Sequence, residues 1–251
     1  MSIVNGDLLV ETEVYANMAI EQERHWWFRA RSEILSQLIE QIGLGTGARI
    51  LEIGCGTGAN LKMLAKFGEV SAIENDEYAR ELATETTGIQ VIEGELPGGL
   101  ENLKDKFDLI CLFDVLEHVE RDAEALSRVK QLLSADGCII ITVPAYQWLF
   151  GRHDLEHHHY RRYIKRDIGA LSSKAGLEVS KTGYFNTLLF PLVVLVRIID
   201  KGRSGGRSTG SAIPANVINE LFYQIFRLEK IILQYITFPF GASIYSVLKD
   251  E

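Results

Sequence analysis

A short segment in the first quarter of the chain combines glycines with carboxylates. The run Ile50-Leu51-Glu52-Ile53-Gly54-Cys55-Gly56-Thr57-Gly58 leads from an apolar segment into a turn. Glycines at this spacing permit a tight turn and a close approach of the backbone to a ligand. Glu74 follows twenty residues after Gly54, and a carboxylate there can accept hydrogen bonds from ribose hydroxyls. Turn and acid together predict a ligand that contains adenosine, and both NAD and S-adenosylmethionine fit this pattern.

Three further features favour S-adenosylmethionine. The Glu52 carboxylate lies two residues before the turn, where an anion would repel a pyrophosphate and attract a cationic amino or sulfonium group. Glu95 follows the third apolar run and can accept a hydrogen bond from the adenine amino group. Asp114 and His118 follow the apolar run Phe107–Phe113. In open α/β sheets, ligands bind at the carboxyl ends of such strands.

Short apolar runs alternate with amphipathic segments between residues 48 and 184, which predicts βαβ units around a parallel sheet. The expected strands are Arg49–Ile53, Val70–Ile73, Ile89–Ile92, Phe107–Phe113, Cys138–Val143, Leu177–Tyr184 and Ala242–Leu248. The expected helices are 11–42, Ala59–Lys66, Asp76–Glu85, Arg121–Leu133, Asp167–Ala175 and 216–235. We therefore expect an N-terminal helical cap (1–47), a ligand-binding α/β domain (48–184 plus 241–251) and an insert (185–240).

The insert combines an apolar stretch (185–199) with a loop rich in Gly, Ser and Arg (201–212). Its longest apolar run, 188–199, is too short to span a bilayer as a helix. An apolar element beside a basic loop is typical of contact with an anionic membrane surface, which we expect over residues 188–212. A two-helix cap packed on the sheet, or the interface of a homodimer, is the alternative.

The composition is typical of a globular protein, with 47% hydrophobic and 24% charged residues. A net charge of −8 argues against general nucleic-acid binding, which requires a basic surface. Cys55, Cys111 and Cys138 form no C-x-x-C pair and are expected to be buried thiols. The first residues resemble no signal peptide, so we expect a cytoplasmic protein that can contact the inner face of the membrane.

Five segments of the sequence resemble the class I S-adenosylmethionine-dependent methyltransferases. These segments are Ile50–Asn60, Ala72–Asn75, Gly94–Pro97, Phe107–Val119 and Leu132–Pro144. The chain departs from the family pattern at Asp136-Gly137, where a double glycine is usual, and at Glu95, where Asp is more frequent. The resemblance implies a doubly wound α/β fold with a seven-stranded, mostly parallel sheet and an antiparallel last strand. The insert at 185–240, expected to be helical, precedes that strand.

The resemblance also implies that S-adenosylmethionine is the cofactor, and it assigns roles to residues. Gly54, Gly56 and Gly58 would line the methionine part, Glu74 the ribose and Glu95 the adenine, while Asp114 would lie near the sulfonium. The remaining predicted cofactor residues in these segments are Glu52, Asn60, Asn75 and Leu96.

Two further segments, His25–Arg31 and 151–163, resemble a subgroup found among cell-envelope and polysaccharide-associated methyltransferases. In the first, Arg31 lies one helical turn after Trp27 and could reach a carboxylate such as that of methionine. In the second, histidines and arginines cluster.

An acceptor hydroxyl that is not ionised requires a general base, and His118 is the first candidate because it follows the fourth strand beside the expected cofactor. A structural histidine tethered to Glu117 or Asp114 is the alternative. His153 and His158 are the other catalytic candidates, and we expect both to face the acceptor together with Asp154. A metal site is not expected, because the consecutive histidines 157–159 cannot all face one ion in a regular element.

Arg161 and Arg162 are the candidates for binding an anionic group of the acceptor, since arginine suits phosphate and carboxylate. Tyr146, just after the fifth strand, completes this predicted substrate set, and a solvated charged surface is the alternative.

The sequence thus predicts in-line methyl transfer from S-adenosylmethionine to an oxygen of a small or lipid-linked acceptor. An NAD-dependent oxidoreductase and a catalytically silent binding domain of the same fold are the alternatives.

Overall fold

A seven-stranded sheet forms the centre of the molecule. The computed structural model describes residues 22–101, 103–202 and 213–251. The strands are β1 (Arg49–Ile53), β2 (Glu69–Glu74), β3 (Val91–Glu93), β4 (Phe107–Phe113), β5 (Leu133–Pro144), β6 (Leu177–Phe185) and β7 (Ser243–Asp250). Their order is β3-β2-β1-β4-β5-β7-β6. The first five strands pair in parallel, and β7 runs antiparallel between β5 and β6. The predicted doubly wound α/β fold, with its antiparallel last strand, is confirmed.

Helices alternate with most of the strands along the chain, and the first helix precedes β1. They are α1 (Trp26–Ile42), α2 (Leu61–Leu64), α3 (Glu77–Thr87), α4 (Asp122–Lys130), α5 (Arg152–Glu156), α6 (Lys165–Lys174), α7 (Phe190–Gly202) and α8 (Asn216–Ile232), and single 3₁₀ turns lie at Leu116–His118 and Gln147–Leu149. The central strands β1 and β4 are apolar on both sides. Leu51 and Leu109 are fully buried, as expected for parallel strands between two layers of helices.

Two predicted helices are shorter in the structure. The helix expected over Ala59–Lys66 is the single turn α2, because the preceding backbone is still in the glycine turn, with Gly58 at φ +84°. The helix expected over 11–42 begins anew at Trp26, because His25 has an extended backbone and its ring accepts a hydrogen bond from the Trp27 N–H at 3.2 Å. Residues 11–21 of that prediction lie outside the described residues, as do residues 203–212 of the predicted basic loop.

Helix α8 of the insert packs along α1. Trp26 makes edge-to-face contacts with Phe222 and Phe226, with ring centroids 5.7 Å apart in both pairs. Asn219 accepts a hydrogen bond from the Trp26 N–H at 2.9 Å, and the Glu33 carboxylate accepts one from the Tyr223 hydroxyl. The N-terminal helix and the second half of the insert therefore form one layer on the sheet.

The link from β6 to α7 is held by a buried carboxyl of α8. One oxygen of Glu229 accepts hydrogen bonds from the N–H groups of Thr187 and Leu188, at 2.7 and 2.8 Å. Pro191 occupies the second position of α7, where a missing N–H costs no helical hydrogen bond. Among the described residues, no helix has the length and apolar character needed to cross a membrane.

Candidate active site at the carboxyl end of the sheet

The turn after β1 has the backbone geometry that its glycines predict. Gly54, Gly56 and Gly58 all have positive φ, at +73°, +54° and +84°. A Cβ atom on Gly54 would lie 2.8 Å from Cγ2 of Val115, in the segment that follows β4. Glycine is therefore required at Gly54 both for its conformation and for the close approach of the two strand ends.

Glu74 ends β2 and braces this turn. One carboxylate oxygen accepts a hydrogen bond from the Gly56 N–H at 2.8 Å, and the other accepts from the N–H groups of Asn75 and Asp76 at 2.8 and 3.1 Å. These contacts fix the half-buried carboxylate at the edge of the sheet. The oxygen that accepts from Gly56 keeps a lone pair that can accept a hydroxyl. Glu95 is exposed on the loop after β3, and the neighbouring Leu96 packs on the core.

Glu52 lies beneath the turn and is 1% exposed. The Asn60 amide donates a hydrogen bond to one of its oxygens at 2.8 Å, while the other oxygen has no partner among the described residues. Burial raises the pKa of Glu52 to about 8, although Asn60 and Arg31 act in the opposite direction. This free, buried oxygen is suited to a cationic group placed on the turn.

Asp114 follows β4 with φ +59° and is paired with a buried arginine of α1. Arg31 approaches one oxygen of Asp114 at 2.6 Å and the hydroxyl of Thr142 at 3.0 Å, and that hydroxyl donates to the other Asp114 oxygen at 3.2 Å. The contact that sequence predicted between Arg31 and a ligand carboxylate is made instead, in this structure, with Asp114. Helix α1 is thereby tied to the strand ends that border the predicted cofactor site.

The turn Leu116–His118 brings a buried carboxyl beside two imidazoles. Glu117 is 1% exposed, and neither carboxyl oxygen has a hydrogen-bond partner among the described residues. Burial, reinforced by Asp114, raises the pKa of Glu117 well above its usual range. The ring of His118 lies edge-on to that of His159, with centroids 4.6 Å apart. His118 is exposed as a residue, but desolvation of its ring by the adjoining segments, reinforced by His159, lowers the pKa of His118 to about 4, so the imidazole is neutral near pH 7.

The segment 151–163 is organised around the fully buried Asp154. Its carboxylate accepts from the Gly151 N–H at 2.9 Å, contacts Nδ1 of His159 at 3.0 Å and accepts from Nε of Arg162 at 2.7 Å. Arg162 is itself 7% exposed. The predicted role of Arg162 in binding an acceptor anion does not fit this burial, because Asp154 already neutralises its guanidinium.

The other predicted acceptor residues lie around the same edge of the sheet. Arg161 pairs with Asp122 at 2.9 Å and is half-buried. Tyr146, with φ +62°, stacks on Tyr184 at 5.4 Å between centroids. These roles stay predictions.

The three catalytic candidates are not gathered at one point. The ring centroid of His153 lies 4.4 Å from that of His157 and 6.5 Å from that of His159. His159 in turn contacts His118. His158 is exposed, with φ +56°. Catalytic roles for all three remain predictions.

The family model described as "Methyltransferase domain" matches residues 25–182, more than half of the chain. The chain belongs to this family.

Two curated relatives are ubiquinone biosynthesis O-methyltransferases. The mitochondrial one from Schizosaccharomyces pombe is 26% identical over 125 residues, which is 47% of this chain and 46% of that protein. The one from Pseudomonas aeruginosa is 25% identical over 184 residues, covering 62% of this chain and 79% of that protein. The chain thus spans about half the length of the S. pombe relative.

Solved structures share the fold. A SAM-dependent methyltransferase from Clostridium acetobutylicum has a TM-score of 0.60 at 13% identity, covering 94% of this chain and 99% of that one. A TehB-like SAM-dependent methyltransferase from Corynebacterium glutamicum has a TM-score of 0.57 at 17% identity, covering 96% and 99%. The predicted family and fold, those of the S-adenosylmethionine-dependent methyltransferases, are confirmed. The comparisons give no support to an NAD-dependent oxidoreductase.

Asp154, which sequence reasoning expected to face the acceptor, is fully buried and paired with Arg162. Sequence reasoning missed two residues that shape this family member's site. Thr142 gave no local signal, because its importance depends on contacts with distant segments. His159 was hidden among its histidine neighbours. A carboxylate next to a histidine at a strand end, Glu117-His118, was visible in the sequence but was considered only as a tether.

Proposed function

We propose that the chain is an S-adenosylmethionine-dependent methyltransferase that acts on an oxygen of a small or lipid-linked acceptor. The observation that carries the proposal is the glycine turn, with the Glu74 carboxylate fixed at its side and a free oxygen of buried Glu52 beneath it. The glycines let a ligand approach the backbone of this turn closely.

The residues present fit the proposed cofactor. The cationic amino and sulfonium groups of S-adenosylmethionine suit the unpartnered oxygen of Glu52, which otherwise bears the cost of an unmade hydrogen bond, about 1–3 kcal/mol. We propose that Glu74 binds the ribose hydroxyls and Glu95 the adenine, and that Asn60, Asn75 and Leu96 contribute to the same site. Asp114, held by Arg31, is proposed to lie near the sulfonium.

When bound, S-adenosylmethionine supplies an electrophilic methyl group for in-line displacement. The chain's own contribution is to position the acceptor oxygen and to keep water out. His118 is neutral near pH 7 and can accept a proton, but a pKa of about 4 makes it a weak base. An acceptor hydroxyl that is more acidic than an aliphatic alcohol, such as a phenol, therefore suits this site better. The names of the ubiquinone biosynthesis O-methyltransferases support an oxygen acceptor.

Aromatic side chains at the carboxyl ends of β5 and β6 support an acceptor with an apolar part. The stacked pair Tyr146 and Tyr184 is joined by Phe190, whose ring lies 5.7 Å from that of Tyr146. Trp148, 54% exposed, extends this surface toward solvent.

Calorimetry with S-adenosylmethionine and, separately, NAD tests the cofactor assignment. We expect Glu74→Ala to weaken S-adenosylmethionine binding about 10- to 100-fold, because a hydrogen bond to a charged group contributes about 1.5–3 kcal/mol. Glu93→Ala is the matched control, since Glu93 is an exposed acid at the end of the neighbouring strand. Unchanged affinity in Glu74→Ala, or binding of NAD alone, would refute the assignment. Binding without transfer of labelled methyl to any envelope extract would favour a silent binding domain.

We further propose that the apolar face of α7 contacts a membrane. Leu195, Ile198 and Ile199 are 53%, 61% and 47% exposed, which is unusual for side chains of this size in one helix. Sedimentation with anionic phospholipid vesicles tests this: wild type should co-sediment, and Leu195→Asp with Ile198→Asp should reduce the bound fraction severalfold. The exposed Leu221 of α8 offers a matched control, Leu221→Asp. Equal sedimentation of wild type and the α7 variant would overturn the proposal, and a loss of dimer mass in that variant would favour a homodimer interface.

A further inference from the structure

Three side chains with metal-binding atoms converge beside the acceptor end of the site. One ligand atom each from Glu117, His118 and His159 lies within 4.8 Å of the other two. Glu117 and His118 belong to the turn after β4, and His159 follows α5. The Tyr160 N–H donates a hydrogen bond to the Glu117 carbonyl at 2.8 Å, so the two segments are joined by their backbones next to the cluster.

The buried carboxyl of Glu117 is an independent sign of a missing partner. Both oxygens are inaccessible to solvent and without a hydrogen bond among the described residues. A buried polar group without a partner is costly, and buried carboxyls in proteins are normally paired or bound to metal. Arg31 and Arg162 already have their guanidinium groups on Asp114 and Asp154, at 2.6 and 2.7 Å.

The orientation of His159 is also that of a metal ligand. Its Nδ1 contacts the fully buried Asp154 carboxylate at 3.0 Å, and Asp154 is held in turn by Arg162. With the proton on Nδ1, the lone pair of Nε2 is available to a cation. Carboxylate–histidine pairs of this kind usually support histidines that bind metal.

We propose that Glu117, His118 and His159 bind one divalent cation of the zinc, iron or manganese class. Two imidazole nitrogens and one carboxylate oxygen suit these ions and leave coordination positions open. Ligand atoms around a tetrahedral ion are about 3.4 Å apart for bonds of about 2.1 Å, so small side-chain rotations complete the site. Only one of the three consecutive histidines is used, which removes the objection that sequence reasoning raised against a metal here.

The role of this ion rests on the proposed function. A hydroxyl oxygen of the acceptor, bound at an open position, would have its pKa lowered as metal-bound water does. It would release its proton to solvent and then take the methyl group as an oxygen anion. His118 would in that case be a ligand rather than a general base.

Titration of the chelator-treated, tag-free protein with Co²⁺ tests the site without any assay of activity. Wild type should bind one Co²⁺ with the visible absorption of a low-coordinate site. His159→Asn should bind at least 10-fold more weakly, because the Asn amide can still donate to Asp154 but lacks an atom in place of Nε2. Glu117→Gln should weaken binding similarly. His158→Asn is the matched control and should stay within about twofold, because asparagine tolerates the φ of +56° at this position.

The result that overturns the proposal is a wild type that binds no Co²⁺, or equal weakening in His158→Asn and His159→Asn. If His159→Asn does not reach the wild-type melting temperature, Glu117→Gln decides by the same criterion. Calorimetry with S-adenosylmethionine on the same samples distinguishes failure of the metal site from failure of the proposed function. A wild type that binds S-adenosylmethionine but no Co²⁺ contradicts the metal site alone, whereas a wild type that does not bind S-adenosylmethionine contradicts the proposed function.

Discussion

Glu52→Gln should remove the part of the pH dependence of S-adenosylmethionine binding between pH 6 and 8 that comes from Glu52. Burial raises the pKa of Glu52 to about 8, so the carboxyl is mostly protonated at pH 6. A cationic ligand group binds the ionised form, so wild-type affinity should rise as pH rises through this range. The ionised fraction goes from ~1% at pH 6 to ~50% at pH 8, which sets an upper limit of about 50-fold on the gain in affinity.

The raised pKa of Glu52 also makes the free energy of unfolding depend on pH. A carboxyl whose pKa is higher in the folded than in the unfolded protein holds its proton in the fold, so the free energy of unfolding falls as pH rises from 4.5 to about 8. Moving a pKa from 4.5 to about 8 corresponds to at most about 5 kcal/mol. Urea unfolding at pH 5 and pH 8 should therefore show a larger loss of stability for wild type than for Glu52→Gln.

Calorimetric titration with S-adenosylmethionine at four pH values between 6 and 8 is the decisive assay. The α-amino group of the ligand also titrates near pH 8, but it does so equally with wild type and variant, so the difference between the two isolates Glu52. Glu69→Gln, at the exposed start of β2, is the matched control and should keep the wild-type pH dependence. Equal pH dependence in wild type and Glu52→Gln would refute the reasoning.

Two further predictions concern stability. Gly54→Ala should cost about 2–5 kcal/mol in urea unfolding, from the positive φ of +73° and the 2.8 Å approach to Val115. Gly43→Ala, with the same φ of +73° and no atom within 4 Å, should cost only about 1–2 kcal/mol, and equal losses would show that the contact with Val115 has no effect. Burial raises the pKa of Glu229 to about 7, so the wild type should lose at most about 3 kcal/mol of unfolding free energy as pH rises from 4.5. Glu229→Gln should therefore lose less unfolding free energy between pH 5 and pH 8 than the wild type does. A wild-type slope in Glu229→Gln, measured by urea unfolding at both pH values, would contradict this explanation.

The parts of the fold that were predictable are those in which the local pattern and the final environment agree. Arg49–Ile53 and Phe107–Phe113 match the structure at both ends, because strands covered by helices on both faces are continuous apolar runs. The break at His25 was not predictable from helical periodicity. It depends on a ring that caps the following helix.

The site residues likewise include some that the sequence could predict and some that it could not. Gly54 and Glu74 could be assigned from spacing, because a turn and the next strand end bring them together in any sheet of this type. The pairing of Arg31 with Asp114 joins residues 83 positions apart, and only the folded chain reveals it. Arg162 was placed among the acceptor residues because a charge pattern does not show burial, and its buried partner Asp154 was expected to face the acceptor for the same reason.

The position of β7 has a consequence for the way this sheet is assembled. β7 lies between β5 and β6 and pairs with both, yet it comes last along the chain, so Cys138 finds its partner Lys249 only after the whole insert has been synthesised. Until then, β5 and β6 each present an unpaired hydrogen-bonding edge to other chains. Docking of α8 on α1 would shorten the search, because it holds the segment before β7 against the body of the protein. The insert would then hold the final strand close to the position between β5 and β6 where it pairs.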